Sequence, residues 1–468
     1  MSENAGVGMK RRPLIAVCLV AALALGGSRS APAADDGPVQ LTARDRVLVL
    51  APHPDDETIG AGGIIQAAAR MKIPLKIVYL TNGDSNEVAF LVYKKRPVLR
   101  RDAVLAMGEM RRVEAVKAMT LLGVRRDQLV FLGYPDGGTL MMFNRYWDGP
   151  SYKGVLTRVR SVPYPEAKSF RAPYTGQHVL NDLKDILTEF RPTKIFVSHP
   201  ADTNVDHRAL PLYLRVALWD VEERISRPEI YPYLVHHRNF PDPRGYWPQK
   251  PLDPPPEMDR GSQRWRRFPL PSTDVERKFS AVMAYRSQVS YNPNYLVSFA
   301  RGNELFGRYP PIVLRPVEES AVTDGDNGTA LEHESAPAQG RPEAGTVIYA
   351  RRGDSVVITL RIPGIGGLLN GANIFLNGYR RDVPFGDMPK YRIHVRRGGT
   401  AKVYNRHNPV MVEGVTVTRQ GNDLTVTVPL DILERPEYIL ACVRGGRTDG
   451  PDTATAWRVL EIPDHERR

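Results

Sequence analysis

Cysteine is almost absent from this sequence: there are two in 468 residues, Cys18 and Cys442. Cys18 sits in an apolar leader expected to be removed, so an internal disulfide is excluded and stability has to come from packing. Long apolar runs are just as scarce. Outside Pro13 to Gly27 no stretch is apolar enough to cross a bilayer, and that one is too short to span comfortably. There is no internal repeat. No basic cluster interleaves with aromatic residues as a nucleic-acid surface requires; Lys94-Lys95, Arg100-Arg101 and Arg125-Arg126 read as solvated doublets.

Composition is otherwise ordinary for a globular chain, 42% hydrophobic and 25% charged, and is ample for two cores. Lys10-Arg11-Arg12, the apolar segment after it and Ala31-Pro32-Ala33 have the anatomy of a Sec-type signal peptide over residues 1–33. The expectation is an exported protein, periplasmic or secreted, with no transmembrane segment in the mature chain. Removing that leader takes four basic residues (Lys10, Arg11, Arg12, Arg29) and one acid (Glu3), so the formal charge falls from +12 to +9. The mature chain stays basic, which suits anionic glycans or an anionic envelope surface.

The chemistry is concentrated in two places. Val47-Leu48-Val49-Leu50-Ala51 is an apolar run that stops in His53-Pro54-Asp55-Asp56-Glu57, followed by a glycine-containing helical stretch. Such a run reads as a buried strand, which puts the polar cluster at its carboxyl end, where open α/β sheets bind ligands. Thr193 to Ser198 is a second short strand, ending in His199-Pro200-Ala201-Asp202-Thr203-Asn204-Val205-Asp206-His207 before another helical pattern. Catalytic zinc takes three N/O protein ligands and keeps one position open. His53, Asp56 and His207 supply such a set and leave Asp55 as a free carboxylate beside it.

These residues resemble the PIG-L/LmbE-like family of zinc-dependent de-N-acetylases. The likeness runs from residue 45 to about 310. It includes Tyr79-Leu80-Thr81-Asn82-Gly83, Arg111-Arg112-Val113-Glu114 before Leu122-Gly123, Leu132 to Gly137, and Asp206-His207-Arg208-Ala209. The resemblance implies hydrolysis of an acetamido group, usually on glucosamine, with Zn2+ held by the positions matching His53, Asp56 and His207. It also implies Asp55 as general base and Arg111 as a grip on sugar hydroxyls. Tyr134 and Asp136 join Arg111 as candidate substrate contacts, or else shape the turn at Pro135.

The sequence departs from the pattern at one position. Many members carry a histidine three residues before the last zinc ligand; here it is Asn204. Asparagine can donate to an oxyanion but cannot deliver a proton at neutral pH. Asn204 and His199 are therefore counted with Asp55 as candidate catalytic residues. His199, His236, His237 or Asp55 itself is the expected proton donor. His199 reads equally as a strand-end structural histidine, His236-His237 as a structural pair, and Arg111 as part of a solvated helix face. Gly60-Ala61-Gly62-Gly63 lacks the spacing of a nucleotide loop and reads as close helix packing.

Strands and helices alternate from Arg44 to about Arg224, which predicts an α/β fold. It is Rossmann-like, a mostly parallel sheet with helices on both faces, with helices near 99–122 and 177–190. Residues 138–175 form an aromatic insertion (Met141, Met142, Phe143, Tyr146, Trp147, Tyr152). It either floors a sugar cleft or makes a hydrophobic satellite. Phe240 to Pro256 is proline-rich and extended. Thr273-Asp274-Val275-Glu276 reads as a capping box. The deacetylase-like domain is expected over 34–317, a flexible linker over 318–345, and an all-β sandwich over 346–468. Val356 to Leu360, Val415 to Thr418 and Leu424 to Val428 are its strands, with a hairpin turn at Gln420 to Asp423.

The function expected is an exported zinc-dependent deacetylase acting on N-acetylglucosamine-type sugars or glycans, with possible carbohydrate contact by the sandwich. The alternatives are a zinc amidohydrolase on another acylated small molecule or lipid, or a catalytically weak glycan-binding protein.

Overall fold

The computed structural model describes residues 37–85, 100–258, 264–290, 292–315, 330–333, 346–361, 372–396, 399–421, 423–445 and 455–463. The expected signal peptide (1–33) lies outside them, as does most of the expected linker.

The α/β part runs β1 (Val47–Ala51), α1 (Asp56–Met71), β2 (Leu75–Thr81), α2 (Arg101–Leu121), β3 (Leu129–Tyr134), α3 (Thr139–Arg145), α4 (Gly176–Phe190), β4 (Lys194–Ser198), α5 (Val205–Val221), β5 (Glu229–Tyr233), β6 (Arg264–Pro269), α6 (Ser272–Val282) and β7 (Asn303–Arg308). Its sheet has the order β3-β2-β1-β4-β5-β7-β6. β3, β2, β1, β4 and β5 are parallel, and β7 and β6 close the edge antiparallel. The chain moves outward from β1 on one side and restarts at β4 on the other. The carboxyl ends of β1 and β4 therefore flank the point where strand order reverses, the usual crevice of such sheets.

The reason β1 is apolar at every position is visible in its packing. Val47, Val49 and Ala51 enter one core with Ile59, Ile64 and Ile65 of α1. Leu48 and Leu50 enter a second core with Val179 and Leu183 of α4 and Leu210 and Tyr213 of α5. A strand covered on both faces has no solvent side to mark with polar residues. The glycines of α1 are a close approach, as expected. A Cβ on Gly60 would fall 2.4 Å from the Tyr233 ring, and one on Gly63 would fall 2.8 Å from Leu270.

The remaining strands are β8 (Ile312–Val313), β9 (Ala330–His333), β10 (Thr346–Arg352), β11 (Ser355–Arg361), β12 (Ala372–Tyr379), β13 (Lys390–Val395), β14 (Ala401–Asn405), β15 (Asn408–Val410), β16 (Thr416–Gln420), β17 (Asp423–Pro429), β18 (Tyr438–Gly445) and β19 (Arg458–Glu461). They form a five-stranded sheet, β16-β17-β11-β10-β9, and a seven-stranded sheet, β15-β14-β13-β12-β18-β19-β8. Both sheets contribute to one core, with Tyr349, Val356, Ile358 and Val426 from the first and Ile374, Leu376, Ile393 and Val443 from the second. This is the sandwich that the β-rich runs and turn signals predicted, with β16 and β17 paired as the expected hairpin. Two strands lie outside the expected 346–468. β9 falls within 318–345 and pairs with β10, and β8 precedes that stretch and pairs parallel with β19.

One local expectation is corrected and one alternative is decided. α6 starts after Pro271 with no side-chain cap, so the capping box at Thr273 is not made. Of the two readings of the aromatic insertion, the hydrophobic cluster holds, as a packed seam, and the cleft floor does not. Phe143, Trp147 and Tyr152 are buried in the second core together with Phe385 and Trp457 of the sandwich. Among the described residues no helix is long and apolar enough to cross a membrane.

Candidate metal centre

The turn after β1 is held in a conformation that its sequence does not favour. Asp55 has φ 121°, ψ −32°, a region costing a non-glycine residue on the order of 1–3 kcal/mol. Its own neighbours hold it there. The Asp55 amide donates to Glu57 Oε2 at 3.0 Å, and its carbonyl accepts the Thr58 and Ile59 amides, each at 3.0 Å. Glu57 is fixed in turn by the Thr58 hydroxyl at 2.7 Å and by the Tyr285 hydroxyl. From α2, Arg111 donates to Gly83 O at 2.7 Å, to Pro54 O at 2.8 Å and to Asp55 Oδ2 at 3.1 Å.

The second loop is organised by Asp202. Its Oδ1 accepts the Asn204 amide at 2.9 Å, and its Oδ2 accepts the Val235 and His236 amides at 3.1 and 2.8 Å. Asn204 is the N-cap of α5, its side-chain oxygen accepting the Asp206 amide at 2.8 Å. The cap starts the helix at the turn that carries Asp206 and His207.

The two loops meet. Asp56 Oδ2 lies 3.0 Å from His53 Nδ1 and 3.0 Å from His207 Nε2, and those two nitrogens are 3.3 Å apart. All three side chains are buried. The outward nitrogen of each imidazole faces carboxylate: His53 Nε2 is 3.2 Å from both Asp136 Oδ1 and Asp206 Oδ2, and His207 Nδ1 is 3.1 Å from Asp202 Oδ2. A carboxylate on the outer nitrogen fixes the ring's proton there and leaves the inner lone pair for a cation. Two imidazole nitrogens and one carboxylate oxygen, converging in a buried pocket, fit a divalent ion of the zinc type. His53, Asp136 and Asp206 also come within ligand reach of one another. Asp206, however, already accepts the Gly137 amide at 2.6 Å, the Thr139 amide at 3.1 Å and the Thr139 hydroxyl. Its place is to orient His53.

The electrostatics match a site that exchanges protons for a cation. Burial opposes charge on His53, yet Asp136, Asp206 and Asp56 raise it well above the usual imidazole range. Burial likewise opposes charge on His207, and Asp202 and Asp56 bring it up to about 9. Asp56, against its own burial, is held well below the usual carboxylate range by His207 and His53. Burial raises Asp55 to about 7, partly offset by the Arg111 guanidinium.

The other expected site residues divide sharply. Arg111 is buried and braces Asp55, which rules out a solvated helix face; Arg112 is partly buried and paired with Glu109 at 2.6 Å. Tyr134 is corrected as a substrate contact: it is fully buried and its hydroxyl is spent on Asp182 at 2.7 Å. Asp136 is turned to His53 and to the Ser85 amide, 2.7 Å away. His199 is corrected as a catalytic group. Its ring packs on Trp265 and Tyr309 at 5.4 and 5.1 Å, its Nδ1 accepts the Ala201 amide at 3.1 Å, and burial pushes it down to about 3. His236 instead lies edge-on to His207 at 4.6 Å between ring centroids, half-buried, with Nδ1 3.3 Å from the Tyr295 hydroxyl. Asp202 and Glu57 were missed as organising residues. An Asp two positions before a helix cap is a recognisable turn signal, whereas nothing local in the sequence announces the Glu57–Tyr285 contact.

Comparison with known proteins finds relatives of the chain. Residues 48–218 match the PIG-L family, described as GlcNAc-PI de-N-acetylase. A 1D-myo-inositol 2-acetamido-2-deoxy-alpha-D-glucopyranoside deacetylase 1 of Saccharopolyspora erythraea is 29% identical over 171 residues, 36% of this chain and 50% of that protein. A deacetylase of the same kind from Mycobacterium sp. (strain KMS) is 32% identical over 264 residues, 55% of this chain and 79% of its own length. The chain thus spans half the length of the first and most of the second. A solved N,N'-diacetylchitobiose deacetylase from Pyrococcus horikoshii is similar over 56% of this chain and 83% of its own, at 20% identity and a TM-score of 0.33. The matched span includes His53, Asp56 and His207, and the chain belongs to the PIG-L family of de-N-acetylases.

Proposed function

We propose that this protein is an exported, zinc-dependent deacetylase that hydrolyses the N-acetyl amide of N-acetylglucosamine-type sugars or glycans to the free amine and acetate. The observation that carries the reading is the meeting of His53, Asp56 and His207 within 3.3 Å of one another, with Asp55 beside them on Arg111. Its support in sequence is the deacetylase relatives, and for export the basic–apolar–small pattern of residues 1–33.

His53, Asp56 and His207 would hold the ion, which when bound supplies Lewis acidity toward water and the acetamide carbonyl. Asp55 accepts the proton of the attacking water, a step typically worth about 10²- to 10⁴-fold. Arg111 keeps Asp55 in place and offsets the burial that would otherwise hold it protonated. Collapse of the tetrahedral intermediate needs a proton on the departing nitrogen. Asn204 cannot give one, and its oxygen is committed to the helix cap. Asp55 is therefore placed to pass on the proton it has taken.

The test is acetate release from N-acetylglucosamine and its oligomers, measured beside the metal content of purified protein. About one zinc per chain is expected. Asp55→Asn should keep the metal and lose activity by at least about 100-fold; His207→Ala should lose both. Full activity in metal-loaded Asp55→Asn would remove the base assigned here.

A further inference from the structure

The outer face of the seven-stranded sheet carries a set of cations that the deacetylase reading does not use. Cross-strand register places Arg444, Asn373, His394 and Lys402 in one row across β18, β12, β13 and β14, with Arg392 beside Tyr404 in the next. At ~4.8 Å per strand this row is ~14 Å wide. Toward the α/β part the same face is covered, Phe375 lying 5.9 Å from Trp457 and Lys390 buried over Phe385. Toward β14 it is open: Lys402, Arg396 and Arg145, the last residue of α3, are exposed.

The arrangement is built. Asn373, only 4% exposed, accepts from His394 Nδ1 at 3.1 Å and from Arg392 at 3.5 Å. The Arg392 guanidinium lies 4.2 Å over the Tyr404 ring. Among the described residues no carboxylate pairs with Arg145, Arg392, Arg396 or Lys402. Burial and then Arg145 depress Arg392; burial and then Arg392 and Arg396 depress His394. Like charges held close together on one face cost stability. A fold that keeps them preorganised in this way has a surface ready for an anion. α3 joins this surface to the metal centre. The amides of Gly137 and Thr139, at its start, hold Asp206 against His53. At its far end the Arg145 carbonyl is 3.2 Å from His407 Nε2 in the β14–β15 turn. The span is seven residues, or about 10 Å.

We infer that this face binds an anionic glycan, one carrying uronate carboxylates between N-acetylhexosamine units, and presents it to the metal centre. The inference rests on the proposed deacetylase reading for its N-acetyl half. Charge complementarity supplies the other half, and the short α3 span is a reach that one glycan chain makes in a few sugar units.

The test uses the full chain carrying Asp55→Asn, so that binding is read without turnover. An acidic oligosaccharide of alternating N-acetylglucosamine and glucuronate should bind at least ten times more tightly than a neutral N-acetylglucosamine oligomer of equal length. The preference should fade between 50 and 500 mM salt, an expectation set by screening on the order of a Debye length. Arg392→Gln with Lys402→Gln should cut acidic binding about tenfold. In the chain with native Asp55, the same pair should leave acetate release from monomeric N-acetylglucosamine unchanged. Equal binding of acidic and neutral oligomers, or no effect of the double substitution, overturns the inference. So does tighter binding of a single-stranded oligonucleotide or an anionic vesicle of matched charge. Acetate release from neutral sugars with no acidic preference sinks this inference alone. Absence of release from every acetamido sugar sinks the functional reading on which it rests.

Discussion

At the residue scale the centre shows how burial sets protonation. Asp84 is the clearest case outside the metal cluster. It is buried beside Asp136 and receives the Tyr164 hydroxyl, and burial pushes its carboxyl up to about 7. The unfolded chain releases that proton near 3.8. The folded state therefore binds more protons between those values, and Asp84's contribution is fully present below about pH 3.8 and lost as pH rises through about 7. Asp84→Asn should flatten this fall and raise the melting temperature at pH 8, with a free-energy gain on the order of a few kcal/mol. Melting curves from pH 4 to 8 check it; an identical pH slope in both proteins would show that Asp84 does not carry the cost. The residues of the centre itself were largely readable, since imidazole and carboxylate clusters at strand ends stand out against an apolar run. Tyr134 misled because a tyrosine beside a motif gives no sign of whether its hydroxyl faces outward or, as here, toward Asp182.

At the element scale, helix starts and close approaches decide where the ligands go. Asn204 caps α5, and the cap can be separated from any chemical role. Asn204→Ala removes the acceptor for the Asp206 amide and should cost 0.5–2 kcal/mol, whereas Asn204→Asp keeps an acceptor and should hold stability. If Asn204 serves only the helix, activity should follow stability across the two variants. A loss of activity in a stable Asn204→Asp protein would give its amide a role at the oxyanion. Gly60 tests the other side of the crevice. A methyl group there meets Tyr233, whose hydroxyl is bound to Leu50 O at 2.8 Å and cannot swing aside without losing that bond. Gly60→Ala should destabilise by about 1–3 kcal/mol, read from denaturant midpoints. Helix positions were legible because their apolar spacing is regular; α2 and α4 fall within a few residues of expectation. The Thr273 motif failed for a physical reason. Proline at 271 already fixes the entry into α6, so the hydroxyl is not needed to start it.

At the scale of the whole molecule, the question is whether the sandwich is an appendage or part of the body that holds the centre. The sequence suggested an appendage, because residues 318–345 are poor in bulky apolar side chains. What no local pattern could announce is the seam. Trp147 and Phe385 meet edge-on at 4.7 Å, Trp219 stacks on Tyr438 at 4.5 Å, and Tyr379 donates to Asp220 at 3.0 Å. Arg208, next to the candidate ligand His207, reaches the Thr455 carbonyl. These partners are up to 247 residues apart in sequence, and long-range pairing leaves no periodicity to read. The core of the seam is aromatic and buried, unlike the mainly polar contacts that let linked domains move independently. A chain ending at Val317 should therefore expose Phe143 and Trp147 and lose both melting temperature and solubility, although it retains every candidate ligand. Trp147→Ala in the full chain should cost about 3–5 kcal/mol and shift one cooperative transition. Calorimetry decides between the two pictures. Two separate transitions in the full chain, with the Val317-terminated form melting at the upper or lower one unchanged, would make the sandwich an independent passenger. A single transition that Trp147→Ala lowers as a whole would make the sandwich part of the support for α5 and, through it, for His207.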